Sequence, residues 1–421
     1  MNNHQISSGD PYFGNILVAR LASIPTPKNA AETLIHSPPI HQNIGSIPKH
    51  IRLHHLMEVR DFHYPSTIER QLFSTIDLML RQGYRVRNPQ IASSWSAISG
   101  ESRRSGLIVP AMAASVEGLS GVGKTQACIR SLAYHPQVIE HESFPRLVGK
   151  HQQVVWLSVE IPPSGKASDL ARSLMEAWRT ATGSRRFDTW LEKEKITDGM
   201  RALDEWRQVA VGHFLGVLHL DEIQNLFKLS NLKQRTARTG SSGAPELSIV
   251  EDQLLRWLLY LTNSGQIPLL ISGTPDGIGA LTKRLSTLER INTMGYHAFE
   301  PIKHHQGKDL DKSFLGVLAR YQYVKHKIPM DANLANLILD LSGGIHRIVM
   351  ALWIAAHRVA FENQDDSLRP EDFTKAANTL LSPLKPAIHA LKNKNIQGLG
   401  RYEDLIPRDT VFWSSFWSNS N

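Results

Sequence analysis

Hydrophobic residues between positions 66 and 301 follow two alternating patterns. Short apolar runs rich in β-branched residues predict buried strands, at 107–116, 153–161, 214–226 and 267–275. Amphipathic stretches with apolar residues three or four apart predict helices, at 66–83, 169–183 and 251–265. Strands that alternate with helices form a parallel sheet between helix layers. The pattern therefore predicts an α/β core over residues 66–301, with one polar insertion at 228–248.

The pattern changes after residue 301, where only helical stretches follow. They lie at 309–326, 331–341, 345–363, 371–380 and 384–394. We predict a small all-helical lid over residues 302–380. The segments at 1–65 and 381–421 are expected to be irregular extensions that dock partner proteins.

The two extensions differ in composition. Residues 1–65 are rich in Pro, His, Ser and Asn and have weak periodicity. Because their histidines lack a repeated spacing and no cysteine accompanies them, we expect no metal site there. The last extension carries aromatic residues that would share one side of a helix. These aromatic residues are Phe412, Trp413, Phe416 and Trp417. Two interpretations stay open: they belong to a tail that packs on its own lid, or to a peptide that binds a partner.

Charge and cysteine content narrow the class of protein. Lys and Arg number 47 against 39 Asp and Glu, which gives a net charge of +8 and a pI of about 9.5. This balance favours a polyanionic partner such as DNA, RNA or acidic lipid. The one cysteine, Cys128, excludes a disulfide within the chain and is expected to pack a helix on the sheet. With no secretory signal and no long apolar run, we expect a cytoplasmic protein.

A phosphate-binding loop follows the first predicted strand. Residues 118–125, GLSGVGKT, match G-x-x-x-x-G-K-[ST] in full. Glycines let the backbone wrap the phosphates, Lys124 is expected to reach the β- and γ-phosphates, and Thr125 to hold Mg²⁺. The predicted nucleotide-binding residues are Gly118, Ser120, Gly121, Val122, Gly123, Lys124, Thr125 and Gln126.

Acidic and polar residues end two later strands. Asp221 suits the Mg²⁺ shell and Glu222 suits activation of the attacking water. The strand that ends near residue 273 is expected to lie between the other two strands. Its polar tip would then touch the γ-phosphate or the water, with Thr274 as first choice and Ser272 as second. A plain turn at the end of the strand is an equally open interpretation for both.

Arginines follow these residues in the chain. Arginine stabilises the charge that develops on phosphoryl oxygens during hydrolysis. Arg284 and Arg290 lie after the third strand tip, and Arg347 lies at the start of a lid helix. Any one of them would more often be a solvated surface residue, but their order behind the acids favours a catalytic role.

This order of motifs resembles that of AAA+ ATPases, and more narrowly the TnsC/TniB group of transposition regulators. The resemblance covers roughly residues 66–380 and is carried by four segments: EGLSGVGKT (117–125), LHLDEIQNL (218–226), LLRWLLYLTNSGQIPLLISGTPDG (254–277) and LSGGIHRIV (341–349). It implies an AAA+ core that binds ATP and Mg²⁺ and forms rings or helical filaments on double-stranded DNA. It also implies that the assembly links a target-selection protein of the TnsD/TniQ type to the transposase, and that hydrolysis resets it.

The resemblance also assigns roles to individual residues. Lys124 and Thr125 would bind nucleotide and Mg²⁺. Asp221 would bind the metal ion, and Glu222 would activate the attacking water. Arg290, or else Arg284, would reach into the site of the next subunit. Arg347 would sense the nucleotide from the lid.

Contact with the DNA backbone needs basic or hydroxyl side chains on one surface. Each candidate is also compatible with a solvated surface charge. The candidates lie in two polar loops and in the basic insertion: Lys166 with Ser168, Arg185, Arg186, Lys233, Arg235 and Arg238.

An ATPase of the origin-recognition or helicase-loader type is the alternative function. That class usually carries a winged-helix domain after the lid, and about forty residues remain after 380. A metabolic kinase or an ATP-binding adaptor fits less well, because the chain is basic and carries Glu222.

Overall fold

The structure is a computed structural model and describes residues 9–92, 94–95, 112–229, 247–250, 252–282, 289–304 and 309–392. Its strands are β1 (Ala113–Gly118), β2 (Val138–His141), β3 (His151–Val154), β4 (Trp156–Glu160), β5 (Val217–Asp221), β6 (Phe227–Leu229), β7 (Leu247–Ile249), β8 (Leu269–Gly273) and β9 (Gly295–Phe299). Its helices are α1 (Pro27–Leu34), α2 (Lys49–Glu58), α3 (Thr67–Val86), α4 (Lys124–Leu132), α5 (Ala167–Thr182), α6 (Asp188–Leu191), α7 (Gly199–Gly212), α8 (Asp252–Ser264), α9 (Pro275–Thr282), α10 (Phe314–Leu318), α11 (Ala332–Ser342), α12 (His346–Ala360), α13 (Pro370–Asn378) and α14 (Lys385–Lys392).

Five parallel strands form the central sheet in the order β4-β5-β8-β1-β9. Every residue of β1, β5 and β8 is buried. Burial on both faces explains why these strands read as continuous apolar runs rather than alternating ones. The predicted α/β class, with a sheet between helices, is confirmed. The strand β8 lies between β1 and β5, as the sequence predicted for the third strand tip.

The edges of the sheet differ from the prediction. The strand β9 was missed, because it exposes Tyr296 and buries His297, so neither an apolar run nor an apolar–polar alternation marks it. The run at 153–161 divides into two strands, since β3 pairs with β2 in an antiparallel hairpin while β4 joins the parallel sheet. The break falls at Val155, whose N–H donates to the carbonyl of Gln137 at 2.8 Å. Cys128 is buried in α4 against the sheet, as expected.

The lid has its own apolar core, built from α11, α12 and α13. The prediction of one helix over 309–326 was wrong, because only a 3-10 turn at Leu310–Lys312 and the short helix α10 form there. Tyr321 and Tyr323, two residues apart, are both buried in the lid core, which requires extended backbone. The Gln322 side chain fixes this conformation by bonding the carbonyls of Ala319 and Ile328, at 3.0 and 2.8 Å.

Residues 9–65 pack on both cores rather than standing apart from them. Leu17 and Val18 belong to the core of the sheet, whereas Leu56 and Phe62 belong to the core of the lid. Arg52 of α2 is 1% exposed and donates through Nη1 to the Tyr323 carbonyl at 2.6 Å. The same guanidinium forms an ion pair with the buried carboxylate of Asp366. The helix α2 is therefore joined to a part of the lid that follows Arg52 by 271 positions.

Among the described helices, none alone is long and apolar enough to cross a membrane. One bent pair, Ala332–Ser342 with His346–Ala360, passes that test by length and composition only.

Candidate nucleotide site at the carboxyl edge of the sheet

The loop between β1 and α4 depends on glycine at three positions. Gly121 and Gly123 have φ values of +85° and +103°, a region that other residues rarely adopt. A Cβ on Gly118 would lie 2.6 Å from the carbonyl oxygen of Phe299, so the loop packs directly on β9. These conformations free successive N–H groups at the start of α4, which is the geometry that binds phosphate.

Lys124 is the buried cation of this loop. Its side chain is 7% exposed, and Nζ donates to the Leu119 carbonyl at 3.1 Å. Burial lowers the pKa of Lys124, and the nearby carboxylates of Glu222 and Asp221 only partly oppose this effect. An anionic phosphate beside Nζ would reverse the penalty of burial, so the lysine fits the role predicted for it.

Asp221 and Thr125 form an oxygen pair suited to a hard cation. The Thr125 hydroxyl donates to Asp221 Oδ2 at 2.6 Å, and the Glu222 N–H donates to Oδ1 at 2.9 Å. Burial raises the pKa of Asp221, but the hydrogen bonds that the carboxylate accepts oppose burial, and the pKa is lowered overall. A carboxylate and a hydroxyl are the ligands that Mg²⁺ takes beside phosphate oxygens. These two residues fit the predicted Mg²⁺ site and would hold the ion there.

A buried hydrogen-bonded chain supports Asp221 from behind. The Ser272 hydroxyl donates to Asp221 Oδ1, and His219 Nε2 lies 2.7 Å from Ser272 Oγ. Because the Ser272 proton goes to the carboxylate, Nε2 must donate, and Nδ1 must accept from Ser158 Oγ at 2.8 Å. Burial lowers the pKa of His219 to about 4, which keeps this tautomer neutral. Sequence reasoning missed Ser158 and His219, although a histidine inside the apolar strand VLHLD is a visible signal.

We expect Ser272→Ala to raise the Mg²⁺ concentration needed for half-maximal ATP hydrolysis by about tenfold. The substitution removes a hydrogen bond that orients Asp221 without touching the nucleotide loop. Steady-state hydrolysis at a series of Mg²⁺ concentrations measures the effect. Ser158→Ala is the matched control at the far end of the same chain and should change the requirement less. An unchanged Mg²⁺ requirement in Ser272→Ala would show that Asp221 needs no such support.

Glu222 occupies a constrained position next to this pair. It is a non-glycine residue with φ of 56° and ψ of 45°, and its side chain is half-buried. Burial and the charge of Asp221 raise the pKa of Glu222, which moves the carboxylate towards the range of a general base. A strained backbone at a reactive side chain is a recurrent feature of active sites.

Gln224 joins Glu222 to the tip of β8. Its Nε2 donates to Glu222 Oε2, and its Oε1 accepts from the Thr274 N–H at 3.1 Å. Gly273 permits this approach, because a Cβ there would lie 2.5 Å from Ile223 Cγ2. The structure thus places the Ser272 hydroxyl against Asp221, the predicted metal ligand, and the Thr274 backbone against Gln224. Sequence reasoning missed Gln224.

The site opens into a cavity of about 1020 Å³ between the core and the lid. Arg347 of α12 lines it, and the Arg347 N–H donates to the Gly121 carbonyl at 3.0 Å. Met57 and residues 60–64, which sequence reasoning assigned to a docking extension, also line the cavity. Arg290 is exposed and does not line this cavity, and Arg284 lies outside the described residues.

Among the described residues predicted to contact DNA, Lys166 lies apart from Arg185 and Arg186. Lys166 precedes α5 and lies at the carboxyl edge of the sheet, whereas Arg185 and Arg186 follow the other end of that helix. A helix of 16 residues separates the two groups by about 24 Å. Arg185 donates to Asp188 at 2.8 Å, while Lys166 and Arg186 are exposed. The remaining candidates lie outside the described residues: Lys233, Arg235 and Arg238.

The candidate site lies within a segment that matches a known domain family. Residues 110–281 match the family model for an AAA domain, a segment that contains the loop, both acids and the tip of β8. A search of curated proteins found no match. Among solved structures, a chain in the structure of Drosophila ORC bound to DNA is 15% identical in sequence to this chain. The similarity covers 86% of this chain and 76% of that chain, with a TM-score of 0.36. The domain match and the fold support an AAA+ ATPase.

Proposed function

We propose that this chain is an ATP-dependent, DNA-binding regulator of transposition that assembles on double-stranded target DNA. ATP would lie in the cavity between core and lid, with Mg²⁺ held by Thr125 and Asp221. The motifs that resemble TnsC/TniB proteins support this function. The assembly would connect a target-selection protein of the TnsD/TniQ type to the transposase, and hydrolysis would release it.

The positions of three side chains support a hydrolysis step. Glu222 takes a proton from a water molecule, and the water oxygen bonds to the γ-phosphorus of ATP. The bond from that phosphorus to the bridging oxygen breaks, and ADP leaves with the electron pair. Lys124 balances charge on the phosphate oxygens, and Arg347 adds a second cation from the lid.

Assembly is supported by the position of Arg290. An arginine supplied by the same chain or by a neighbouring molecule stabilises the charge on the phosphoryl oxygens during hydrolysis. Arg290 follows β8 in the chain, yet it is exposed and does not line the cavity of its own chain. An exposed arginine in this segment is available to a neighbouring subunit. We therefore propose that each ATP site is completed by the next copy in a ring or filament.

DNA contact is supported by the way the basic insertion is anchored. The strands β6 and β7 pair antiparallel, so the insertion leaves and re-enters the fold at one point. Asn225, just before β6, donates to the Ile161 carbonyl at 2.7 Å, and Gly165 lies against Asn225 and Val250. Lys166 therefore lies beside the base of a segment that carries Lys233, Arg235 and Arg238. Such a grouping suits contact with the phosphate backbone without reading bases.

Electron microscopy of negatively stained samples tests the proposed assembly. We expect rings or filaments on double-stranded DNA with a non-hydrolysable ATP analogue, and few without nucleotide. Arg290→Ala should reduce these assemblies, whereas Arg320→Ala, at an exposed arginine of the lid, should not. Monomers under every condition would contradict the proposal.

A further inference from the structure

A cluster of metal-ligand side chains lies in the N-terminal segment, away from the nucleotide loop. His41 Nε2 lies 2.9 Å from Glu58 Oε2, and His55 Nδ1 lies 3.0 Å from Glu58 Oε1. One ligand atom from each residue falls within 4.8 Å of the other two. All three side chains are half-buried, with exposed fractions of 26%, 27% and 37% for His41, His55 and Glu58.

These separations suit a single divalent ion. Zinc binds histidine nitrogen and carboxylate oxygen at about 2.0–2.2 Å, so two ligands of one tetrahedral ion lie about 3.3 Å apart. The two imidazole rings have centroids 4.0 Å apart and are tilted by 49°. Two histidines and one carboxylate are also a known three-residue set for zinc, and they leave one position for water.

A buried tyrosine gives an independent indication of a missing ligand. Tyr323 is 3% exposed, and its hydroxyl has no hydrogen-bond partner among the residues that the structure describes. The Tyr323 ring lies 6.5 Å from that of His41. Buried hydroxyls are rarely left without a partner. Water bound to an ion in this cluster would supply one.

We infer that His41, His55 and Glu58 bind a divalent transition metal, with zinc as the best match to the ligand set. A water molecule fills the fourth position and accepts a hydrogen bond from Tyr323. The choice among metals follows from two imidazoles and one carboxylate, which suit zinc better than the all-oxygen sites of calcium or magnesium.

The ion would fasten the N-terminal segment to the wall of the nucleotide cavity. His55 and Glu58 lie three apart on α2 and share one face, whereas His41 lies in the preceding loop. His36 and His63 already exchange backbone hydrogen bonds of 2.9 and 2.8 Å, so the loop is held at a second point. A metal that closes this loop stabilises the fold, because it binds the folded chain and not the unfolded one. Residues 60–64, which follow Glu58 in the chain, line the cavity.

The sequence did not predict this site. His41 and His55 are fourteen positions apart in a segment of weak periodicity, and only the fold brings them together. The sequence analysis expected no metal site in residues 1–65, and the inferred site differs from that expectation.

Titration of the full-length chain with zinc, after removal of metals by a chelator, tests the inference. We expect one ion per chain by calorimetry, a rise in the unfolding temperature, and visible absorption bands when cobalt replaces zinc. His41→Ala and Glu58→Gln should each weaken zinc binding by more than about 100-fold, and Tyr323→Phe by about tenfold. His54→Ala, an exposed histidine on the same helix, is the matched control and should bind zinc normally.

Two results would overturn the inference. One is a wild-type chain that binds no zinc, which would make the cluster a hydrogen-bonded network only. The other is zinc binding that His54→Ala lowers as much as His41→Ala does, which would indicate adventitious binding by surface histidines. Circular dichroism of each variant without metal separates loss of the ligand from loss of the fold, and Glu58→Gln keeps the size of the side chain if His41→Ala unfolds.

Discussion

Glu222→Gln is expected to slow ATP hydrolysis by about 10²–10⁴-fold while ATP still binds. Glutamine keeps the size of the side chain and an oxygen that accepts from Gln224, but it does not take a proton from water. The raised pKa of Glu222, caused by burial and by Asp221, is the property that the substitution removes. Phosphate release under single-turnover conditions measures the effect directly.

The control for Glu222→Gln is Glu160→Gln. Glu160 ends β4, pairs in register with Asp221 and is exposed. Its charge contributes to the electrostatic environment of Glu222, but less than burial and Asp221 do. Glu160→Gln should therefore hydrolyse ATP at close to the normal rate. Normal hydrolysis by Glu222→Gln itself would show that another group activates the water.

Lys124→Ala is expected to weaken ATP binding by about 10- to 150-fold, the loss of one charge-assisted contact to phosphate. The substitution should not destabilise the nucleotide-free protein, because burial lowers the pKa of Lys124 and the cation is poorly compensated there. Binding of a fluorescent ATP analogue and the unfolding temperature without nucleotide measure the two effects separately.

Lys150→Ala is the control for that experiment. Its side chain is 70% exposed in the β2–β3 region and pairs with Glu142 at the surface. A change there should leave both nucleotide affinity and stability unchanged. Equal ATP affinity in Lys124→Ala and the wild type would mean that the loop does not bind the phosphates.

The centre of the fold was predictable because burial leaves a strong signal in the sequence. The strands β1, β5 and β8 are buried throughout, so each appears as an apolar run that ends in a functional motif. The edge strand β9 gave no such signal, since its residues alternate in exposure. Elements defined by contacts distant in sequence were not predictable either. Arg52 contacts Tyr323 and Asp366, and no local pattern indicates such a pair.

The sequence predicted the loop and the acidic residues of the candidate site, but not the residues that hold them in place. The loop and the acids meet as expected, with Thr125 bonded to Asp221. The residues that hold those groups in place, His219 and Gln224, belong to no motif and act through geometry alone. The roles proposed for Arg290 and for the basic residues stay predictions, because they depend on a neighbouring subunit and on DNA.

The affinity for double-stranded DNA, compared between a non-hydrolysable ATP analogue and ADP, tests the central claim most directly. If ATP bound between subunits controls the affinity for DNA, the protein should bind DNA about 5- to 150-fold more tightly with the analogue than with ADP. Lys124→Ala should lose this difference, and the affinity should fall steeply with salt. Equal affinity for DNA with the analogue and with ADP in the wild-type protein would contradict the account.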